Sequence, residues 1–286
     1  MFLSPNRPVV RVRYRGRLGN QLFEYAFGRA LAESLGAELV APTIAGFPNA
    51  KSKRFTLSAM RRSSALLEGH WVEPEKLAAL KSARKIVLDG YFQRYEYVRA
   101  LRPQIREWFR RGSTTPLSDD SLTIDVRSGD IWEMKGSLSR PRCPPHPSYP
   151  ALPVSYYREI IESRPWKAAY LLCEKPDDPV AGCLLDRGDV AFVGKDPLSD
   201  FDFLRSSRNI VLSVSTFAWW AAWLSDASRI YFPLAGIFDP LQMERWKPQE
   251  RIDLVPSCDE RYHFARLDAP SQWKGDASDL APVLSG

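Results

Sequence analysis

The sequence predicts an α/β protein built on parallel sheets. Segments with strand periodicity alternate with segments of helical periodicity through both halves of the 286-residue chain. This alternation is typical of parallel strands whose connecting helices cover the sheet. An apolar content of 44% and a charged content of 26% are those of a folded globular protein.

The N-terminal half opens as a strand, a turn and a helix. Apolar side chains alternate with arginines over Val9–Tyr14, which predicts a strand with one apolar face. From Gln21 apolar residues recur every three or four positions, which predicts an amphipathic helix that ends at Gly36. Two further strands and a helix are predicted over Glu38–Ala41, Ile86–Leu88 and Tyr95–Arg111, in that order.

The second half repeats the alternation after a polar, aperiodic stretch at residues 112–120. Such a stretch indicates a domain boundary, so we predict domains over residues 1–115 and 116–286. Strands are predicted over Leu122–Val126, Ala169–Cys173, Val190–Val193, Ile210–Val214 and Ile230–Phe232. Helices are predicted over Val154–Ser163, Phe201–Ser207 and Phe217–Leu224. The prolines of residues 141–153 exclude helix interior and central strand, and predict an ordered loop that borders a cleft.

Charge and composition restrict the class of ligand. The excess of 40 Lys and Arg over 34 Asp and Glu suits a nucleoside diphosphate or an acidic membrane surface. No run of five basic residues is present, so nucleic-acid binding is not expected. The four cysteines lack zinc-site spacing. The absence of a signal-like or membrane-spanning apolar stretch predicts a cytoplasmic protein, and the basic charge together with the missing signal peptide suggests peripheral association with the inner membrane.

The first candidate site is the turn Gly16–Gln21, between the first strand and the first helix. Glycines there allow backbone N–H groups to approach an anion at a helix N-terminus. Only two residues separate the glycines and no third follows, so the dinucleotide-binding fingerprint is not met. A tight strand-to-helix turn is the structural alternative, in which Asn20 acts only as a helix cap.

The second candidate site is Asp125–Asp130, which directly follows a predicted strand. Ligands of open α/β sheets bind at the carboxyl ends of strands, and the fork of Arg127 matches phosphate oxygens. An ion pair of Arg127 with Asp125 or Asp130 is the structural alternative.

The third candidate site is Leu212–Leu224, where a strand leads into a helix. The hydroxyls of Ser215 and Thr216 suit both a helix cap and a phosphate ligand. Trp219, Trp220 and Trp223 are interpreted as packing residues, since burial is the usual fate of such large aromatic area.

Together these segments resemble the bacterial α-1,2-fucosyltransferase family, and more distantly the α-1,6- and protein O-fucosyltransferases. Residues 16–26, GRLGNQLFEYA, are similar to the opening motif G-x-L-G-N-Q-(M/L)-F-x-Y-A. Gly90–Gln93 is similar to the middle segment, Asp125–Asp130 to H-x-R-R-G-D, and Val214–Leu224 to N-S-S-F-S-W-W-A-A-W-L. The resemblance spans residues 14–234. It departs from the family at Asp125, where the family has His, and at Ser128, where it has a second Arg.

The resemblance implies a GT-B-like fold, in which two Rossmann-like domains with parallel sheets face a cleft. The N-terminal domain would bind the acceptor and the C-terminal domain a GDP-sugar. It further implies an inverting, metal-independent enzyme without a cofactor. That enzyme moves L-fucose from GDP-β-L-fucose to a carbohydrate hydroxyl, in α-1,2 linkage to galactose of a surface polysaccharide or oligosaccharide.

The resemblance also implies roles for individual residues. Three are expected at the reaction itself: Arg127 on the leaving diphosphate, Asn20 near the reacting sugar, and Asp130, or Glu133, as proton acceptor. The others are expected to bind the GDP-sugar: Arg17, Gly19, Asp125, Asp200, Ser215, Thr216 and Phe217. For Asp125 the expected contact is a guanine edge or a ribose hydroxyl, and for Asp200 it is base recognition or helix capping.

Other functions stay open from the sequence. The donor can be a different GDP-sugar, such as GDP-L-galactose or GDP-mannose. The departures at Asp125 and Ser128 also fit a nucleotide-sugar-binding protein that has lost catalysis. A Rossmann dehydrogenase is disfavoured by the glycine spacing.

Overall fold

The parallel α/β class is confirmed by a computed structural model, which describes residues 7–52, 64–112, 114–127 and 148–267. The chain divides into two compact units. The first comprises the described residues up to Gly112 together with Lys247–Leu254, and the second comprises the rest. The returning segment pairs with the first unit, where the Tyr95 N–H donates to the Asp253 carbonyl over 2.7 Å. The predicted division had placed this segment in the C-terminal domain.

The first unit is built on one parallel sheet. Its strands are β1 (Val9–Val12), β2 (Glu38–Val40), β3 (Ser64–Glu68) and β4 (Lys85–Asp89). Over the described residues their order is β2-β1-β4-β3. The helices are α1 (Leu18–Ser34), α2 (Pro74–Ala79) and α3 (Arg102–Trp108), with 3-10 turns at Leu80–Ser82, Tyr95–Tyr97 and Arg99–Leu101. Because β1 and β4 are parallel neighbours, the segments that follow them lie at the same edge.

Packing of α1 on this sheet positions the segment after β4. The Phe27 ring stacks on the Phe92 ring with 4.4 Å between centroids, inside a cluster that includes Val10 and Leu88. Phe92 has a φ of 50°, in the left-handed region that side chains rarely adopt. Gly90 lies so close to the loop after β3 that an added Cβ would be 2.4 Å from the Gly69 backbone. The chain therefore bends sharply after β4 and directs Gln93 toward the start of α1.

The helix predicted over Tyr95–Arg111 is wrong in its first half, where two 3-10 turns occur instead. The α-helix begins only at Arg102, with Pro103 in its first turn. Proline is tolerated there because the first N–H groups of a helix have no intrahelical partner, whereas deeper in a helix it removes a hydrogen bond.

The second unit is built on a larger parallel sheet. Its strands are β5 (Ser121–Asp125), β6 (Ala168–Leu172), β7 (Val190–Phe192), β8 (Asn209–Val211), β9 (Arg229–Leu234) and β10 (Tyr262–Arg266). Over the described residues their order is β10-β9-β8-β5-β6-β7. The helices are α4 (Val154–Glu162), α5 (Pro179–Leu185), α6 (Pro197–Ser206), α7 (Thr216–Leu224) and α8 (Pro240–Trp246), with a 3-10 turn at Gly236–Phe238. All five residues of β5 are buried, so this strand lies in the centre of the unit.

The helix α7 is held in the core by its tryptophans. Trp219, Trp220 and Trp223 are each at most 1% exposed, and the rings of the first and third stack with 5.5 Å between centroids. Their interpretation as packing residues is confirmed. This burial anchors the N-terminus of α7 beside the end of β8, which is where the third candidate site begins.

The sequence patterns did not predict five of the described elements, namely β3, α2, α5, α8 and β10. The three helices have six or seven residues, too few for helical periodicity to show. In β10 only Tyr262 is buried, because the strand lies at the sheet edge, and the apolar alternation is correspondingly weak. Among the helices of the described ranges, none has both the length and the apolar character needed to cross a bilayer.

Candidate active site

The second and third sequence segments meet in the second unit. β5 and β8 are adjacent and parallel, with Ile124 opposite Val211. The residues after β5 therefore lie beside the turn that leads from β8 into α7. This carboxyl edge of a parallel sheet is the usual ligand-binding position in α/β proteins.

Asp125 is the last residue of β5 and is buried at this edge. The residue is 7% exposed, and its carboxylate accepts a hydrogen bond from the Ser213 hydroxyl. Burial raises the pKa of Asp125 to about 6, while the Ser213 bonds and the charge of Arg127 oppose the shift. The side chain thus ties the ends of β5 and β8 together. Its contact with guanine or ribose stays a prediction.

Arg127 lies above Asp125 in the segment that follows β5. Its Nη1 donates to the Val214 carbonyl over 3.2 Å, and its Cζ lies 4.0 Å from the centre of the Tyr149 ring. A carbonyl oxygen and an aromatic face therefore contact the guanidinium, and its ion pair with Asp125 or Asp130 stays the structural alternative. Phosphate binding by Arg127 stays a prediction.

The turn before α7 combines a hydroxyl cap with a helix N-terminus. The Ser215 side chain accepts from the Ala218 N–H over 3.4 Å, which confirms its capping role. Thr216 is buried at the first position of α7, and Phe217 packs edge-on against Phe201 with 5.5 Å between centroids. A nine-residue helix with N–H groups pointing at this edge favours an anion there.

The capping role expected for Asp200 belongs to another residue. Because α6 begins at Pro197, four residues earlier than predicted, its cap is Asp196, which accepts from the Leu198 and Ser199 N–H groups at 3.0 and 3.1 Å. Asp200 instead accepts from the Lys195 N–H over 2.9 Å. Partial burial raises the pKa of Asp200, and its charge also raises the pKa of Asp125. Base recognition by Asp200 stays a prediction.

The first sequence segment forms a separate cluster in the first unit. Arg17 is the N-cap residue of α1 but makes no side-chain cap bond, and Gly19 is buried in the first turn. Asn20 is the third helical residue, so it does not occupy the cap position. Its Oδ1 accepts from the Gln93 Nε2 over 2.8 Å. At Gly16, which has a φ of 67°, an added Cβ would lie 2.2 Å from the Asn20 Nδ2.

Two of the residues in these clusters were missed as site residues. Gln93 is 1% exposed in the structure. In the sequence, its position at the end of the Gly90–Gln93 segment was the available signal. For Tyr149 the sequence offered only its place in the proline-rich stretch. Asp130, Glu133 and Ser128 lie outside the described residues. Within the described ranges no group of three His, Cys, Asp or Glu side chains is arranged to hold a metal ion.

A buried carboxyl next to the Asn20 cluster leads to a pH prediction. Glu24 is fully buried, and both carboxylate oxygens lie 3.0 Å from the Arg15 backbone nitrogen. Desolvation raises the pKa of Glu24 from 4.5 to about 8, although the Arg15 bond opposes the shift. The folded protein therefore keeps a proton that the unfolded chain releases, and stability falls as pH rises through this interval.

We expect Glu24→Gln to abolish this pH dependence, because glutamine has no proton to lose. Above pH 8 its free energy of unfolding should exceed that of the wild type by about 2 kcal/mol. Denaturant unfolding at pH 5, 7 and 9 measures the difference. Glu33→Gln is the matched control, because Glu33 lies on the same helix with its side chain 55% exposed. Equal pH profiles for Glu24→Gln and wild type would contradict the prediction.

Parts of the chain are similar to known glycosyltransferases. Residues 183–247, from α5 to just past α8, match the model of glycosyl transferase family 11. The galactoside α-(1,2)-fucosyltransferase 2 of Sus scrofa is 25% identical over 322 aligned positions, which cover 98% of this chain and 85% of that protein. The protein of the same name from Bos taurus is also 25% identical, over 98% of this chain and 85% of its own length.

Among solved structures, an Arabidopsis thaliana FUT1 variant in complex with GDP aligns with a TM-score of 0.49 at 12% identity, over 79% of this chain and 70% of that one. The fucosyltransferase NodZ from Bradyrhizobium aligns with a TM-score of 0.44 at 16% identity, over 78% of this chain and 95% of that one. The family match covers the turn before α7 but not Asp125, Arg127 or Tyr149, whereas the alignments with the curated relatives extend over 98% of this chain. The chain is therefore similar to galactoside α-(1,2)-fucosyltransferases over nearly its whole length, and to glycosyl transferase family 11 over residues 183–247.

Proposed function

We propose that the protein transfers L-fucose from GDP-β-L-fucose to a galactose hydroxyl of a carbohydrate acceptor, forming an α-1,2 linkage with inversion. The observation that carries the proposal is the position of Arg127. Its guanidinium lies at the carboxyl edge of the central strand, beside the capped N-terminus of α7. A fixed guanidinium and a helix N-terminus are two features that bind phosphate groups.

The chemistry needs stabilisation of a leaving diphosphate. The acceptor oxygen attacks the anomeric carbon of fucose, the bond from that carbon to the β-phosphate oxygen breaks, and GDP leaves with the bonding electrons. Negative charge therefore grows on the β-phosphate, where Arg127, the Ser215 and Thr216 hydroxyls and the N-terminal N–H groups of α7 would stabilise it. The hydroxyl proton passes to a carboxylate, for which Asp130 and Glu133 are the candidates, or to water.

The first unit supplies the Asn20 cluster in this proposal. The Asn20 amide is held by Gln93 and pressed against Gly16, so its donor has a defined direction. An oriented amide donor next to a sugar stabilises charge that develops in the transition state, at little cost in reorganisation. Arg17 and Gly19 lie in the same turn. The cleft predicted between the two domains stays a prediction.

The choice of fucose and galactose is supported by the curated relatives, which carry those names. Metal-free operation is part of the proposal, because in it the diphosphate charge is balanced by Arg127 and backbone N–H groups. We expect GDP to bind with micromolar-scale affinity in the presence of EDTA, and transfer from GDP-fucose to persist there. Calorimetry with GDP, GDP-fucose, GDP-mannose, UDP-glucose and NAD, followed by transfer assays on a galactoside, tests both points.

The panel separates the remaining alternatives. Turnover of GDP-mannose but not GDP-fucose would replace the donor in the proposal. Binding of GDP-fucose without transfer and without slow donor hydrolysis would indicate a nucleotide-sugar-binding protein. Strict dependence of transfer on a divalent ion would contradict the metal-free part.

A further inference from the structure

We infer that Tyr149 is a positioning residue of the donor site, which holds the Arg127 guanidinium in place so that it can receive the diphosphate. The inference rests on the proposed function of Arg127. The Cζ of Arg127 lies 4.0 Å from the centre of the Tyr149 ring, within the range of a cation–π contact. Stacking of this kind fixes the guanidinium plane without engaging its N–H donors.

A second restraint reaches Arg127 from another element. Its Nη1 donates to the carbonyl of Val214, in the turn between β8 and α7, over 3.2 Å. Tyr149 lies instead in the segment that precedes α4. The ring contact and the hydrogen bond thus restrain the guanidinium from two different elements. Bidentate binding of phosphate needs both, because its two parallel hydrogen bonds depend on a planar fork in one orientation.

Tyr149 is itself held by the turn that follows β9. The Ile237 N–H donates to the carbonyl of Ser148 over 2.9 Å. Gly236 has a φ of 53°, and an added Cβ there would lie 2.6 Å from both the Ser148 oxygen and the Pro150 Cδ. The backbone on both sides of Tyr149 is thus packed against this glycine turn. An aromatic ring on a restrained backbone is suited to orient a flexible arginine.

Another arginine–aromatic stack in the same unit provides a matched control. The Cζ of Arg164 lies 4.5 Å from the centre of the Trp166 ring. Trp166 precedes β6, so it lies at the amino edge of the sheet, opposite the edge where Arg127 is found. Loss of this stack should affect stability alone.

The test is calorimetry of GDP, GMP and guanosine with wild type, Tyr149→Leu, Tyr149→Phe and Trp166→Leu. We expect Tyr149→Leu to weaken GDP binding by about tenfold, the size of a partly desolvated cation–π contact. Guanosine binding should not change, and GMP, which lacks the β-phosphate, should lose less than GDP. Tyr149→Phe keeps the ring and should restore GDP affinity to within about twofold of the wild type. Trp166→Leu should bind all three ligands as the wild type does.

Arg127→Ala and the double variant separate the two hypotheses. In the Arg127→Ala background, Tyr149→Leu should cause no further loss of GDP affinity. If Arg127→Ala weakens GDP binding and Tyr149→Leu does not, or if Tyr149→Leu weakens GDP, GMP and guanosine equally, the inference is wrong and the proposed function stands. If Arg127→Ala leaves GDP affinity unchanged, the phosphate role of Arg127 is wrong. Should melting curves show that Tyr149→Leu does not fold, Tyr149→Met replaces it.

Discussion

Replacement of Arg127 by alanine is expected to lower kcat/KM by about a hundredfold, equivalent to roughly 3 kcal/mol of transition-state stabilisation. The guanidinium is held at the carboxyl edge of β5 by Val214 and Tyr149, where the leaving diphosphate would gain charge. Its removal therefore affects the step in which the bond to GDP breaks. Steady-state kinetics with GDP-fucose and a galactoside, together with GDP calorimetry, measure the loss.

Arg127→Lys distinguishes charge from geometry. A lysine ammonium keeps the positive charge but lacks the planar fork, so we expect it to recover only a small part of the activity. The melting temperature of each variant is the control for folding, because Arg127 also contacts the Val214 backbone. Near-normal kcat/KM and GDP affinity in Arg127→Ala would rule out the phosphate role.

Replacement of Asn20 by aspartate is expected to lower kcat on the order of a hundredfold with little change in melting temperature or GDP affinity. In the structure the Asn20 Oδ1 accepts from Gln93, and a carboxylate oxygen can accept the same bond. The substitution therefore retains the structural contact and removes the Nδ2 donor. Single-turnover transfer from GDP-fucose, with thermal melting in parallel, measures the two effects separately.

Asn20→Ala serves as the comparison variant. It removes the acceptor as well, and leaves the buried Gln93 amide without its Asn20 partner, which costs about 1 to 3 kcal/mol of stability. We therefore expect Asn20→Ala to lose both turnover and melting temperature, whereas Asn20→Asp loses turnover alone. Full kcat in Asn20→Asp would mean that Asn20 serves only to bind Gln93.

Local patterns were sufficient for most of the fold. The alternation at the start of the chain correctly predicted β1, and the three- and four-residue spacing from Gln21 correctly predicted α1. Both succeed because the spacing of apolar residues within an element specifies the face that it buries. Prediction failed where tertiary packing determines the local backbone conformation. Tyr95–Leu101 has helical spacing, yet Pro103 and the pairing of Tyr95 with Asp253 hold it in 3-10 turns.

The candidate site divides in the same way. The residue types and their order, from the Gly16 turn through Arg127 to Ser215, predict an anion-binding α/β site and resemble one family, because glycine turns, an arginine after a strand and a hydroxyl helix cap are local features. The partners of those residues were not predictable. Asp125 and Ser213 are 88 positions apart, and Asn20 and Gln93 are 73 positions apart. Each pair meets because two strands, β5 and β8 for the first pair and β1 and β4 for the second, are neighbours in a sheet.

The sequence by itself therefore determined which side chains are candidates for the chemistry, and only the tertiary structure decided which groups hold them. Strand periodicity specifies the face that is buried, but it contains no information on which strand lies alongside. That choice is made by the packing of whole helices such as α1 and α7 against the sheets. It places Tyr149 on Arg127, Gln93 on Asn20 and Ser213 on the buried Asp125.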